Sequence, residues 1–252
     1  MIQTATSVWV AAAVLVFVAA LLQSSTGFGF NLVASPLLAI LFPPRISVPA
    51  LLVLWIPLGL LLCLDCRREM RFPRVGMLTL GGICGLPLGA RVLGELPTPV
   101  LREVIGVAAL AAALVFAIRP GRPVLREWIG CLAAGFGGGV LGAVSAMSGP
   151  PVVLFGVNQG WETRGFRADL IGFFTLLSLA AVAVLSTGRL LDGHSLSLAG
   201  VLAAPALVGL AVGSMVAPRL SAANYRKVAL VVVFTGGVVS LLMGMGVIPG
   251  PI

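Results

Sequence analysis

Two short stretches place glycine, proline and small polar residues inside apolar segments. The first, Thr26 to Pro36, reads TGFGFNLVASP, and the second, Gly135 to Pro151, reads GFGGGVLGAVSAMSGPP. Hydrocarbon offers no hydrogen bonds to the backbone, so such breaks at membrane depth occur only where they are packed in protein or line a wet cavity. We therefore predict a binding site formed by these two breaks.

The residue types in the breaks suit a small oxyanion. A helix that begins after a break directs free N–H groups and the positive end of its dipole at a ligand. Hydroxyl and amide side chains add donors without the cost of burying a charge. The alternative interpretation is that these small residues only allow close helix packing. The predicted binding residues are Ser25, Thr26, Gly27, Gly29, Asn31 and Ser35 in the first break, and Ser145, Ser148, Gly149 and Pro150 in the second.

Three charged residues follow the breaks in the sequence. Arg45 and Arg167 each lie near the start of the segment after a short apolar piece, where we expect them to draw anions to the two mouths of a pathway. Interfacial anchoring is the alternative for both arginines. Asp169 is the candidate for coupling to an ion gradient, and a solvated acid at a helix start is the alternative.

The four cysteines suggest a different chemistry. Cys63 and Cys66 form a Cys-x-x-Cys motif, and Cys84 and Cys131 are a candidate pair within the membrane. A membrane carrier of electrons by thiol-disulfide exchange is therefore the alternative function. The sequence offers no triad of serine, histidine and acid, no metal cluster and no phosphate loop. We therefore expect no enzyme, no metal and no other cofactor.

The composition is that of an all-α polytopic membrane protein. Of 252 residues, 59% are hydrophobic and 10% charged, and the mean hydropathy is +1.13. The continuous apolar runs have the length of membrane-spanning helices, about 17 to 25 residues, whereas barrel strands would alternate in polarity. The net charge of +8 comes mostly from arginines in short loops, where they orient the chain. Nucleic-acid binding is therefore not expected.

The apolar runs predict about eight full transmembrane helices and two broken or re-entrant segments. The predicted short pieces are Asn31 to Phe42 and Val152 to Val157. The predicted full spans are Ser7 to Gln23, Ile46 to Leu64, Val75 to Leu93, Val100 to Ile118, Trp128 to Val144, Leu170 to Ser186, Leu196 to Val216 and Val228 to Val247.

The chain repeats its plan once, in residues 1–124 and 125–252. With Gly85 placed on Gly209, seven of twenty ungapped positions are identical. If each broken segment enters the membrane and returns to the same side, twelve of the sixteen basic residues lie on one side of the membrane. If each broken segment crosses the membrane once, eight basic residues lie on each side. The positive-inside rule favours the uneven split. We therefore predict two inverted repeats, with the basic loops in the cytoplasm and both termini outside.

These segments also resemble a known family. TGFGF followed by ASPLL, the segment GFGGGVLGAVSAMSGPP, and the related GLPLGARVL and GLAVGSMVA are similar to the TauE/SafE family of sulfite exporters, also called the 4-toluenesulfonate uptake permease family. The resemblance implies a secondary transporter of small anions, sulfite or an organosulfonate such as sulfoacetate, in the bacterial inner membrane. It implies alternating access, with the anion held near the midplane. The partners are then the anion and the lipid bilayer, and a homodimer is the one protein assembly considered.

Overall fold

The computed structural model describes residues 2–26, 29–117, 126–216 and 222–248. These described residues form ten α-helices and no strand. Their ends agree closely with the predicted apolar runs, because each run stops at proline, glycine or charged residues. The helices are α1 Ile2–Thr26, α2 Phe30–Leu41, α3 Pro44–Cys66, α4 Phe72–Glu95, α5 Thr98–Ala117, α6 Glu127–Ser145, α7 Gly149–Asn158, α8 Thr163–Thr187, α9 Gly193–Val216 and α10 Ala222–Gly244.

Six helices within the described ranges are long and apolar enough to cross a membrane. They are α1, α3, α4, α6, α8 and α9. The predicted spans that correspond to α5 and α10 are not among them, so six candidate spans among the described residues stand against the eight that the sequence predicts. α2 is a shorter apolar helix, as predicted. The chain is thus built as a multi-pass membrane protein.

Each break forms the tip of a helical hairpin. Trp9 of α1 packs against Phe42, which follows α2, with ring centroids 5.5 Å apart. α2 therefore runs back toward the end of the bundle where α1 begins. In the second hairpin, Gly130 near the start of α6 lies against the ring of Phe155 in α7. α7 likewise returns to the end where α6 begins.

The two hairpins open at opposite ends of the bundle, as contacts with α4 show. Arg45, at the start of α3, donates hydrogen bonds to the carbonyl oxygens of Gly94 (2.7 Å) and Leu96 (3.1 Å), where α4 ends. Glu127, at the start of α6, pairs with Arg74 near the start of α4. The first hairpin therefore opens where α4 ends, and the second opens where α4 begins.

Helix packing is matched between the two halves. The first helices of the two halves are α1 and α6, the third are α3 and α8, and the fourth are α4 and α9. In each half, the fourth helix packs against the first and the third helices of the other half. α3 also packs directly against α8, and α5 against α10. α3 and α8 therefore lie at the centre of the bundle, where each contacts elements of both halves.

The glycine-rich part of the second predicted break is regular helix, which corrects its predicted extent. α6 continues to Ser145, and the interruption covers only residues 146–148. A Cβ at Gly139 would overlap the carbonyl oxygen of Gly82 in α4, and one at Gly135 would overlap that of Leu78. These glycines let two helix backbones approach, so for them the packing interpretation is the correct one. The first break is equally short, because α2 begins at Phe30 and contains Pro36.

A carboxylate caps α9 in the connection after α8. The Oδ1 atom of Asp192 accepts hydrogen bonds from the backbone N–H of Ser195 (2.8 Å) and from its hydroxyl (2.6 Å). Because these bonds favour the charged form, they hold the pKa of Asp192 below its usual range. The start of α9 thus keeps a charged cap at neutral pH.

We predict opposite effects of two glycine-to-alanine substitutions on thermal stability. Gly139→Ala introduces a methyl group against the Gly82 carbonyl and should destabilise the protein by about 1–3 kcal/mol. Gly76→Ala in α4 is the control, because nothing lies within 4 Å of its Cβ position, and the better helix propensity of alanine should stabilise the helix by up to about 1 kcal/mol. Size-exclusion chromatography of heated, detergent-solubilised protein measures both. Equal melting temperatures for the two variants would contradict the packing role of Gly139.

Candidate functional site

The two hairpin tips line one internal cavity. Its volume is about 40 Å³, enough for about three water molecules. α3 contributes Trp55 to the wall, and α8 contributes Phe174 and Ser178. The structure thus brings the two predicted breaks together and adds the central helices. The hairpin residues that line the cavity are Gln23, Gly29, Phe30, Asn31 and Leu32 from the first, and Ala146, Met147, Ser148, Gly149 and Pro150 from the second.

Gly29 shapes the first tip. It precedes α2 with a φ of 134°, a conformation that residues with a side chain rarely adopt. The Oε1 atom of Gln23 then accepts the N–H of Phe30 at 2.9 Å, so α1 satisfies the first amide of α2. The N–H groups of Asn31 and Leu32 come next in the first turn, where no partner exists within a helix. Both residues line the cavity.

The side chain of Asn31 is a second polar group at this tip. Its Oδ1 atom is buried and has no hydrogen-bond partner. A buried amide without a partner is costly, which points to a partner outside the chain. Rotation of the amide group by about 180° exchanges the positions of the oxygen and the NH₂ group of an asparagine side chain. The Asn31 side chain can therefore turn its NH₂ group toward an anion.

The second tip supplies fewer backbone donors than the sequence predicts. Ala146 ends α6 in the left-handed conformation, with a φ of 57°. α7 then begins at Gly149, followed at once by Pro150 and Pro151. Proline has no N–H group, so only Gly149 among the first three residues of α7 carries an amide donor. The prolines thus correct the expectation of several free N–H groups at this helix start.

Ser35 and Ser145 connect the hairpins and are not among the residues that line the cavity. The hydroxyl of Ser35 donates to the carbonyl oxygen of Ser145 at 2.5 Å, and both residues are fully buried. The Ser145 hydroxyl donates to the Leu141 carbonyl (2.7 Å) and accepts the Met147 N–H (3.3 Å). These bonds fix the position at which the two tips meet.

The two predicted access arginines bind backbone carbonyls and are not among the residues that line the cavity. Arg167 donates to the carbonyl oxygen of Ser24 at 2.8 Å, in the last turn of α1. Arg45 bonds the end of α4 in the same way. Both satisfy carbonyls that a helix end leaves without partners, and a cation is favourable there because of the helix dipole.

Asp169 lies at the end of the bundle where α8 begins and is fully buried. Its Oδ1 atom accepts the backbone N–H of Arg71 at 2.6 Å, and its Oδ2 atom lies 3.8 Å from Nη1 of Arg74. Arg74 also pairs with Glu127 and lies 4.4 Å above the ring of Trp161. The carboxylate therefore joins the starts of α4, α6 and α8.

Three predicted binding residues are described incompletely or not at all. Gly27 lies outside the described residues. For Ser25 and Thr26 the structure describes the backbone, which completes α1.

Eight residues that line the cavity were missing from the predicted site: Gln23, Phe30, Leu32, Trp55, Ala146, Met147, Phe174 and Ser178. Gln23 carried a signal, because it opens the polar run at the end of an apolar span. Trp55 and Ser178 carry polar atoms within long apolar spans, and Phe174 carries none. Their place in the wall depends on how α3 and α8 pack, which residue types alone do not reveal.

The cysteines are all free thiols, and they differ in their surroundings. Cys84 is exposed on α4, Cys131 is buried in α6, and Cys63 and Cys66 are half-buried in α3. Across the described ranges, no group of three or more histidine, cysteine, aspartate or glutamate side chains could hold a metal ion.

Comparison with known families identifies one match. The family described as "Sulfite exporter TauE/SafE" matches residues 12–243, which is nearly the whole chain. Neither a curated protein nor a solved structure matches the chain.

We predict that alanine is tolerated at one tip glycine and not at the other. Gly29→Ala forces a side chain into a φ of 134° and should cost about 1–3 kcal/mol. Gly149→Ala is the control, because its Cβ would meet only the Phe174 ring at 3.5 Å, an ordinary contact. Thermal melting of the purified variants, followed by tryptophan fluorescence, measures the difference. If Gly29→Ala melts with the wild type, the conformation assigned to the first tip is wrong.

Proposed function

Because the chain belongs to the TauE/SafE family of sulfite exporters, we propose that it carries a small oxyanion, sulfite or an organosulfonate such as sulfoacetate, through the cavity between its two hairpin tips. As a member of that family, the chain is a membrane transporter and not an enzyme. The observation that carries the proposed substrate site is the buried Oδ1 atom of Asn31, which has no hydrogen-bond partner and belongs to a residue that lines the cavity in the first turn of α2.

Neutral donors support a site for an anion. The N–H groups of Asn31, Leu32 and Gly149 and the Asn31 side chain are available around the cavity. α2 also directs the positive end of its dipole there. None of the described residues that line the cavity is charged. Such a site binds an oxyanion through hydrogen bonds alone. Release of the anion then leaves no buried cation without a partner, so release does not carry that cost.

The size of the cavity favours a small cargo. At about 40 Å³, it accommodates roughly three waters, which suits sulfite or the sulfonate group of a short organosulfonate. An aromatic sulfonate would need a wider cavity. Trp55, Phe174 and Phe30 form the apolar walls and limit the width.

The arrangement of the hairpins supports alternating access by inverted repeats. The hairpins open at opposite ends of the bundle, and the helix contacts of residues 1–124 are matched in residues 125–252. In transporters of this kind, the repeats exchange conformations around a site at the midplane. We propose this mechanism for the chain, with one hairpin serving each face of the bacterial inner membrane.

The distribution of arginines supports a cytoplasmic position for one end. Under the positive-inside rule, the more basic end faces the cytoplasm. Arg45 and Arg167 stand at opposite ends, which supports their proposed role in drawing anions to each mouth. Among described residues, the more basic end has Arg67, Arg68, Arg71, Arg74, Arg126, Arg164 and Arg167, and the other has Arg45, Arg91, Arg102 and Arg189.

Thiol-disulfide electron transfer is the less favoured function. The family membership favours transport. In addition, Cys84 is exposed whereas Cys131 is buried, which does not suit a redox pair that must meet a common partner.

We predict that Asn31→Leu removes anion binding without unfolding the protein. Leucine keeps the size of the side chain and loses the amide, so the dissociation constant for sulfite should rise about 10- to 100-fold, equivalent to roughly 1.4–3 kcal/mol. Isothermal titration of purified protein and uptake into proteoliposomes measure the effect. Ser214→Ala on the exposed side of α9 is the control, because its hydroxyl bonds only its own helix. Wild-type affinity in Asn31→Leu would rule out this site.

We also propose that Asp169 couples transport to a proton gradient. Asp169→Asn keeps an oxygen that can accept the Arg71 N–H and removes the titrating charge. The variant should still exchange sulfite between the two sides of proteoliposomes but should no longer accumulate it when a pH gradient is applied. Accumulation equal to that of the wild type would leave Asp169 with a structural role only.

A further inference from the structure

A second cleft lies at the end of the bundle where α3 ends and α8 begins. Its volume is about 250 Å³. Leu62 of α3 and Ile171 of α8 form part of its walls, together with Arg164 and Arg167. Asp65 and Glu69 also line the cleft, and both are exposed, whereas Arg167 is half-buried. The cleft thus carries a cation on the side that faces into the protein.

The cleft and the central cavity lie along the same faces of the same two helices. On α3, Trp55 lines the cavity and Leu62 lines the cleft. On α8, Ser178 lines the cavity and Ile171 lines the cleft. A spacing of seven residues is two helical turns, so both members of each pair lie on one helix face, about 10 Å apart. The seam between α3 and α8 therefore lies between the two spaces.

Small and polar residues form a constriction in the middle of this seam. The hydroxyl of Thr175 donates to the Ile171 carbonyl at 2.8 Å and lies 3.5 Å from the Cys63 thiol, which donates to it. Gly59 of α3 lies against the same hydroxyl, so closely that a Cβ there would overlap it. The two helices meet here only because position 59 has no side chain.

An unsatisfied donor lies between the cavity and the constriction. Trp55 is 2% exposed and lines the cavity, and its Nε1 atom is buried without a hydrogen-bond partner. That nitrogen lies 2.8 Å from the place where a Cβ of Gly59 would be, so it points toward the constriction. An indole N–H can only donate. It therefore lacks an acceptor at the position where an anion would leave the cavity along the seam.

From these contacts we infer that the seam between α3 and α8 is the passage by which the anion moves between the central cavity and the arginine-bearing cleft. Gly59, Cys63 and Thr175 form its gate, and Trp55 donates a hydrogen bond to the anion as it enters the gate. This inference rests on the proposed function. It assigns the path that connects the binding site with the end of the bundle where α8 begins.

The first test separates passage from binding. Gly59→Ala places a methyl group in the gate, outside the residues that line the cavity. Sulfite exchange across proteoliposomes should fall about tenfold or more, a barrier increase of roughly 1.4 kcal/mol, while the dissociation constant measured by titration changes less than about twofold. Gly200→Ala on α9 is the matched control, because nothing lies within 4 Å of its Cβ, and it should exchange like the wild type. Wild-type exchange in Gly59→Ala would overturn the passage.

The second test does not depend on a variant at Gly59. It uses protein in which Cys63 is the only cysteine and the membrane-impermeant anion 2-sulfonatoethyl methanethiosulfonate. If the seam is the passage, this reagent modifies Cys63 from one side of the proteoliposome and blocks sulfite exchange. Protein with Cys84 alone is the control, because that thiol is exposed on the outer surface of α4, toward lipid, and should not react. A Cys63 that never reacts while exchange proceeds would overturn the inference.

The two proposals fail in distinguishable ways. If the wild-type protein binds no sulfite or organosulfonate, the proposed function is wrong and the passage loses its cargo. If the wild type binds and exchanges sulfite, Gly59→Ala exchanges it equally well, and Cys63 does not react with the reagent, only the passage is wrong.

Discussion

A helix that is interrupted inside a bilayer exposes backbone groups that neither lipid nor water can satisfy. This constraint governs the architecture around both breaks. Gln23 accepts the first amide of α2, Arg167 binds a carbonyl near the end of α1, and Ser35 binds the last carbonyl of α6. Each of these bonds joins different elements. The bond between Ser35 and Ser145 also joins the two hairpins to each other.

Two residues that line the central cavity carry a buried polar atom without a hydrogen-bond partner. These atoms are Oδ1 of Asn31 and the indole nitrogen of Trp55. Elsewhere, close packing is achieved by glycines of α4 and α6 that bring the two backbones together. Between α3 and α8, the contact of Gly59 with Thr175 is small and polar, and Trp55 packs against Phe174.

The sequence predicted the helices and the two breaks well, because apolar length, proline and glycine act locally along the chain. It overestimated the second break, since a run such as Gly135 to Gly142 is compatible with either a loop or a tightly packed helix. The difference is made by α4, whose backbone covers Gly135 and Gly139, and by the second hairpin, in which Ser148 lies against Gly138 and Gly142. The walls supplied by α3 and α8 could not be predicted for the same reason, because they depend on helix pairing. The bonds that Arg45 and Arg167 make with carbonyls likewise required the folded arrangement.

The two prolines at the start of α7 give the bundle an unequal pair of halves. The first tip presents a row of amides, while Pro150 and Pro151 leave the second with one amide and the nearby Ser148 side chain. Under the proposed function, a cargo in the cavity would therefore be held mainly by the hairpin that opens at the less basic end. If the two halves exchange conformations during a transport cycle, the loaded inward-facing and outward-facing forms should differ in free energy. The protein would then spend unequal times open to the two sides of the membrane, because Pro150 and Pro151 each lack an N–H group.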